Sequence, residues 1–186
     1  MEDNDRFNPF TENWNKWPES TVKFFFSQAE AKLKQLIDAG RRITDRANML
    51  LTTTTTLLLV ILGYILKTII DGDGLRILLV IAGIDAIILF AVIVLLLRLL
   101  FPRKVMPIGR DPKELIKESF LHEKYSNEDI TIAVMLTECQ SYQECIEFNE
   151  KDNNRRLKSL KITLYTLVSI LPISLIIAFL YLWKVA

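Results

Sequence analysis

The stretch "MLLTTTTTLLLVILGY", Met49 to Tyr64, decides the fold class of this chain. It places five consecutive threonines, Thr52 to Thr56, inside a run of leucines. Threonine is a poor helix former in water, because its branched carbon restricts χ1 and its hydroxyl competes for backbone groups. In hydrocarbon the backbone must satisfy its own hydrogen bonds, so the segment becomes helical and each hydroxyl bonds a carbonyl one turn back. The stretch therefore predicts a helix in lipid.

Three long segments contain at most one charged residue each, although the 186-residue chain is 24% charged overall. Residues 47–70 contain one charge (Lys67), residues 77–97 contain one (Asp85), and residues 162–183 contain none. A bilayer core needs about 20 apolar helical residues. A soluble domain of this size has too little interior to bury three such segments. We therefore expect an all-α membrane protein with three transmembrane helices.

The three spans divide the chain into five segments. "DGDG", Asp71 to Gly74, is a tight turn signal, so the first two spans form an antiparallel hairpin. Because the N-terminus is acidic and apolar residues accumulate only near Met49, we expect the first span to act as an uncleaved insertion signal. The segments are an acidic aromatic tail (1–19), a cytoplasmic amphipathic helix (20–46), the two-span transmembrane hairpin (47–102), a cytoplasmic helical region (103–160) and a third transmembrane helix (161–186).

The segments outside the spans carry helix signals. Gly40 is expected to bend the amphipathic helix before the membrane. Asp111 and Pro112 have the pattern of a cap and a first helical residue. Ser126 and Asp129 have the spacing of a capping box. No strong breaker lies between them and the third span, which predicts one long helix that continues into that span.

Basic residues determine the expected orientation, because short cytoplasmic loops are enriched in lysine and arginine. The turn between the first two spans and the C-terminus are poor in bases. The bases cluster before the first span, after the second and before the third: Lys32, Lys34, Arg41, Arg42, Arg46; Arg98, Arg103, Lys104, Arg110, Lys113; Lys151, Arg155, Arg156, Lys158, Lys161. The expected location is a plasma (inner) membrane, with the N-terminus and the middle region in the cytoplasm and the C-terminus outside.

Asp85 is the strongest candidate for a functional residue. It follows Arg76 by nine residues, or about 13 Å along a helix axis, close to mid-membrane. An acid at this depth must face other helices. Threonines of the first span and Ser174 lie at similar depth, and we name the set Asp85, Thr52, Thr55, Thr56 and Ser174 the polar seam. Two interpretations stay open: the polar seam is a gated ion path, or it holds the bundle together and packs without conducting.

Two other features also have two interpretations each. The aromatic residues Phe7, Phe10, Trp14 and Trp17 share a helical face, and the tail is either a docking arm or a segment that folds back on its own protein. The cytoplasmic bases are either contacts for an anion such as a nucleotide or determinants of topology that meet lipid headgroups. The candidate anion contacts are Arg103, Lys104, Arg110, Arg155 and Arg156.

The sequence contains no recognisable catalytic triad, metal-ligand cluster or Gly-rich phosphate loop. His122 is the one histidine, and no nucleophile or metal partner lies near it in sequence. Cys139 and Cys145 fit neither a metal site nor a disulfide framework, so we expect reduced thiols. We predict that the protein is not an enzyme, needs no cofactor and does not bind nucleic acid.

The order of these parts resembles a known family. A helix runs into "ITDRANMLLTTTTTLLLVILGYIL", a hairpin ends at "FPR", the segment "PIGRDPKELIKESF" follows, and a basic stretch precedes the last span. This layout, from Gln28 to Leu182, resembles the Pycsar-type transmembrane effectors of bacterial anti-phage defence. Asp45-Arg46-Ala47 is similar to the family's Asp-x-Lys-Ala, with arginine in place of lysine. The resemblance implies a membrane protein that a cyclic pyrimidine nucleotide switches on and that impairs the inner membrane; it implies no particular ligand residues.

Two functions of different classes follow. The first is a membrane effector whose cytoplasmic helices sense a cyclic nucleotide or a protein, after which oligomerised spans permeabilise the bilayer. Three helices enclose no useful pore alone, so this function requires a homo-oligomer. The alternative is a membrane-anchored scaffold or adaptor that binds a cytoplasmic protein through its aromatic tail and helical region, without conduction.

Overall fold

The computed structural model describes residues 8–10, 13–71, 76–101, 105–109 and 126–185. Within these ranges the chain is helical and contains no strand, which confirms the all-α class there. Its helices are α1 (Glu19–Asp71), α2 (Arg76–Leu100) and α3 (Asn127–Val185), and a short 3₁₀ turn (Trp14–Lys16) precedes α1. Asp71, the first residue of the predicted "DGDG" turn, is the last residue of α1. The rest of that turn and the helix predicted to begin at Asp111 lie outside the described residues.

Each of the three helices is long and apolar enough to cross a membrane. α1 and α3 have 53 and 59 residues, more than twice the length that a span requires. In the most apolar 18 residues of α1, α2 and α3, only 6%, 17% and 18% of the residues are buried. Leucine and isoleucine therefore cover the outside of the helices, as expected for a protein that has lipid as its solvent.

The threonine run is helical and bonds its own backbone, as predicted. The hydroxyls of Thr52, Thr53, Thr54 and Thr56 each donate to the carbonyl four residues earlier, at 2.7 to 3.2 Å. Each hydroxyl proton is thereby satisfied without a water molecule. This local bonding explains how so polar a run is compatible with a membrane helix.

One compact unit, the membrane unit, consists of residues 41–103 and 154–186. Its core joins residues from the beginning of the α1 span, the end of α2 and the beginning of the α3 span. The buried members are Ile43, Ala47, Val92, Leu96, Leu99, Leu160 and Leu167. Because the start of one span meets the end of the next, α1 and α2 are antiparallel here, and α3 runs parallel to α1.

A second compact unit, the α1–α3 head, consists of residues 1–40 and 104–153. In one cluster Val22 packs with Ile132 and Leu136, and Phe10 and Trp14 cover it. These two aromatic residues of the tail thus fold back on their own protein, whereas Phe7 lies outside the described residues. In a second cluster Leu33, Tyr142 and Ile146 are buried, and the rings of Phe26 and Tyr142 stack with centroids 5.5 Å apart.

The head contains two further local features. The Ser126 hydroxyl and the Asp129 carboxylate each accept a backbone N–H from the other's residue, so the predicted capping box at the start of α3 is confirmed. α1 continues through Gly40, where a β-carbon would lie 2.9 Å from the Asn153 Oδ1 atom. Gly40 therefore permits a close approach of α1 and α3 inside the helix α1.

Candidate functional site

Asp85 lies on α2 and is 92% buried within the membrane unit. The Ser174 hydroxyl of α3 donates a 2.7 Å hydrogen bond to its Oδ1 atom. The structure therefore brings together two members of the polar seam that are 89 residues apart in sequence. A carboxyl at the depth expected from the sequence is costly unless it has a partner, and Ser174 supplies a hydrogen-bond donor.

A groove of about 470 Å³ adjoins this pair. It lies between α2 and α3, and exposed isoleucines such as Ile84 and Ile173 open it to the surface of the unit. Its polar residues are Asp85, Ser174, Ser169 and Thr166; isoleucines and Val80 form the rest. The Asp85–Ser174 pair is therefore a polar spot in an apolar groove that opens to the surface of the membrane unit.

The threonines of the polar seam lie elsewhere. Thr52, Thr55 and Thr56 are exposed on α1, and none of them lines the groove. Within the threonine run the buried residue is Thr54, whose side chain is fully covered within the unit. Sequence reasoning missed it, although Ile43, Ala47, Leu50 and Thr54 continue a single stripe at helical spacing, and that stripe is the signal that identifies it.

Arg156 joins three helices at the Leu100 end of α2. It is buried, and its Nη2 donates to the Thr44 hydroxyl of α1 at 2.7 Å and to the Leu99 carbonyl of α2 at 3.2 Å. Leu99 belongs to the last turn of α2, where carbonyls have no partner within the helix and carry partial negative charge. The guanidinium therefore caps α2 and connects it to α1 and α3.

A small pocket of about 160 Å³ lies beside Arg156. It is lined by Leu95, Arg98, Leu99, Arg155, Arg156 and Ser159. Two of the candidate anion contacts, Arg155 and Arg156, thus line one pocket. Arg98, which was not among the candidates, lines the same pocket. Arg103, Lys104 and Arg110 lie outside the described residues. Three guanidinium groups around one pocket make it suitable for an anion.

Cys139 and Tyr142 of the head are buried, and burial disfavours their ionised forms. Burial, followed by the nearby Glu138 carboxylate, raises the pKa of the Cys139 thiol. Burial also raises the pKa of Tyr142, and the nearby Glu30 carboxylate makes the next largest contribution. A thiol with a raised pKa is a poor nucleophile, so Cys139 suits packing better than chemistry. Among the described residues, no cluster of His, Cys, Asp and Glu is arranged to hold a metal ion, and His122 lies outside them.

Comparison with known proteins identifies no relative: no family model, no curated protein and no solved structure matches this chain.

Proposed function

We propose that this protein is an effector of the plasma (inner) membrane, with its N-terminus and the α1–α3 head in the cytoplasm. A cytoplasmic ligand acts on the head, and the spans of several subunits then rearrange and permeabilise the bilayer. The resemblance described above names a cyclic pyrimidine nucleotide as the first ligand to test and anti-phage defence as the setting.

The observation that carries the proposal is the Asp85–Ser174 pair. Membrane helices rarely carry an acid at mid-depth, and such an acid marks a candidate ion or proton pathway. Here the pair adjoins an open groove of about 470 Å³, so a second subunit can cover it. The exposed hydroxyl-bearing face of α1, with Thr52, Thr55 and Thr56, gives an oligomer a second polar surface.

The test uses the full-length chain in proteoliposomes loaded with a self-quenching dye and in cells stained with a membrane-potential dye. Wild-type protein should release the vesicle dye after addition of a cyclic pyrimidine nucleotide to outward-facing heads, and should depolarise cells in which a cyclic pyrimidine nucleotide is produced in the cytoplasm. Asp85→Asn should change the rate of release. The matched control is Asp71→Asn, which removes an exposed acid at the end of α1. Intact vesicles and an unchanged potential under every ligand would reject the effector function.

A specific observation favours the scaffold as second candidate. The head exposes three neighbouring aromatic residues: Trp17, Phe24 and Phe25 are 41%, 58% and 43% exposed. The rings of Trp17 and Phe25 meet edge to face with centroids 5.6 Å apart. Exposed aromatic residues are enriched at protein interfaces. Under this function Phe24→Ser abolishes partner capture, whereas Asp85→Asn has no effect on it.

A further inference from the structure

We infer that the pocket formed by Arg98, Arg155, Arg156 and Ser159 binds the headgroup phosphate of an acidic phospholipid. This site is separate from the Asp85–Ser174 pair. The inference therefore does not depend on permeabilisation, and the protein can bind the lipid whether it is an effector or a scaffold.

The cationic side of the pocket supplies the first argument. Arg98 and Arg155 are exposed, Arg156 is buried, and all three line the same small volume. In the described parts of the chain, no carboxylate lies within ion-pair distance of Arg98 or Arg155. Their charge is therefore available to an external anion. Ser159 adds a hydroxyl, and arginine is well suited to phosphate because its planar fork donates two parallel hydrogen bonds.

The position and shape of the pocket supply the second argument. Arg98 lies two residues before the end of α2, where an apolar span gives way to charged sequence, which is the depth of lipid headgroups. Leu95 and Leu99 line the pocket together with the arginines, and Leu95 is 41% exposed. A lining of leucine and arginine matches a molecule with a phosphate attached to an acyl-bearing glycerol. Basic pockets between membrane helices are known to take such headgroups.

The size of the pocket distinguishes a phosphate group from a larger soluble ligand. Its volume of about 160 Å³ is below the roughly 300 Å³ at which sites for whole small molecules begin. A headgroup phosphate fits, because the rest of the lipid stays in the bilayer. The base and sugar of a nucleotide would have to stay outside this volume in solvent, whereas the rest of a lipid is buried in the bilayer.

The experiment is native mass spectrometry of the full-length protein, released from nanodiscs that contain phosphatidylcholine with or without phosphatidylglycerol. Wild-type protein should retain phosphatidylglycerol in preference to phosphatidylcholine. Arg98→Gln and Arg155→Gln should each weaken this retention about fivefold, the value expected for one basic residue at an anionic surface. The matched control is Lys158→Gln, which removes an exposed charge from the same helix outside the pocket.

The outcomes separate the alternatives. Retention that falls with the pocket variants and not with Lys158→Gln supports the site. Equal retention of the two lipids, or an equal loss in all three variants, overturns it in favour of general surface electrostatics. A third arm adds inorganic phosphate in millimolar excess. Displacement of phosphatidylglycerol would assign the pocket to a soluble phosphate and overturn the lipid assignment, whereas retention supports it.

Discussion

The hydroxyl of Ser174 donates a 2.7 Å hydrogen bond to the carboxylate of Asp85, and both side chains line one groove between α2 and α3. Each residue is polar in an apolar segment, so each needs a partner within the protein. The bond fixes the relative depth of α2 and α3 in the membrane unit. It therefore serves the packing of the helices whether or not ions pass beside it.

Removal of the Ser174 hydroxyl should destabilise the membrane unit. Ser174→Ala leaves the Asp85 carboxyl without this donor, and we expect a loss of about 1 kcal/mol, within the range measured for polar contacts between membrane helices. Ser169→Ala is the control, because Ser169 lines the same groove and is exposed. The measurement is the thermal unfolding midpoint in a mild detergent. Equal midpoints for the two variants would show that the bond contributes no stability.

Arg156 should contribute more than Ser174, because it joins three helices. Arg156→Gln removes a buried charge-assisted donor to Thr44 and Leu99, and we expect about 2 kcal/mol of destabilisation. Arg156→Lys should recover part of this loss, since an ammonium group can reach one acceptor but lacks the planar fork. Arg155→Gln, on the adjacent exposed residue, should be nearly neutral. Unfolding midpoints of the three variants give the comparison, and a neutral Arg156→Gln would contradict the capping role.

Much of this architecture could be predicted from local sequence. The apolar runs, the capping box at Ser126 and the back-bonded threonines depend on neighbours within a few residues, where spacing is informative. Which threonine is buried depends on how α2 and α3 pack against α1, and local sequence does not contain that information. The sequence analysis therefore placed Thr52, Thr55 and Thr56 in the packed set, whereas the buried residue of the run is Thr54. The arginine pocket could be predicted only in part. Arg155 was a candidate anion contact, but its proximity to Arg98 depends on the packing of α2 against α3, which a short stretch of sequence does not determine.

A side chain at Gly40 should be mildly destabilising, because the β-carbon position lies 2.9 Å from the Asn153 Oδ1 atom. Gly40→Ala therefore forces Asn153 to move and weakens its 2.7 Å bond to the Leu36 carbonyl. We expect about 1 kcal/mol of net destabilisation, since overpacking offsets the usual helix gain of alanine. Gly63→Ala is the control, with no atom within 4 Å, and should be neutral or stabilising.

A double-mutant cycle tests the cause of that effect. Gly40→Ala should cost less in an Asn153→Ala background than in the wild type, because the clashing oxygen is gone. Thermal unfolding of the four proteins gives the coupling free energy. Additive effects of the two substitutions would mean that the close approach of Gly40 and Asn153 does not limit the packing.

Cys139 should react slowly with alkylating reagents and lose its protection only at high pH. Its pKa is raised, so the folded chain retains the thiol proton at pH values where the unfolded chain has lost it. The protonated thiol therefore favours the folded state. This stabilisation is complete below the ordinary thiol pKa and is lost as the pH rises through the pKa that Cys139 has in the folded chain. Maleimide labelling of Cys139 in Cys145→Ala protein should be slower than labelling of Cys145 in Cys139→Ala protein. Equal rates at pH 8 would contradict the burial of Cys139.

The exposed face of the threonine run should mediate contacts between subunits if the protein oligomerises as proposed. Thr52 and Thr56 are exposed one turn apart on α1, whereas Thr54 is fully covered within its own subunit. In a Cys139→Ala, Cys145→Ala background, the single substitutions Thr52→Cys and Thr56→Cys should give disulfide-linked dimers in membranes under mild oxidation. Thr54→Cys should give none, because its neighbours in the membrane unit occupy the space that a partner thiol needs. The ratio of dimer to monomer on a non-reducing gel measures the difference. If Thr54→Cys cross-links as efficiently as Thr52→Cys, the exposed face with Thr52 and Thr56 is not the surface that contacts other subunits.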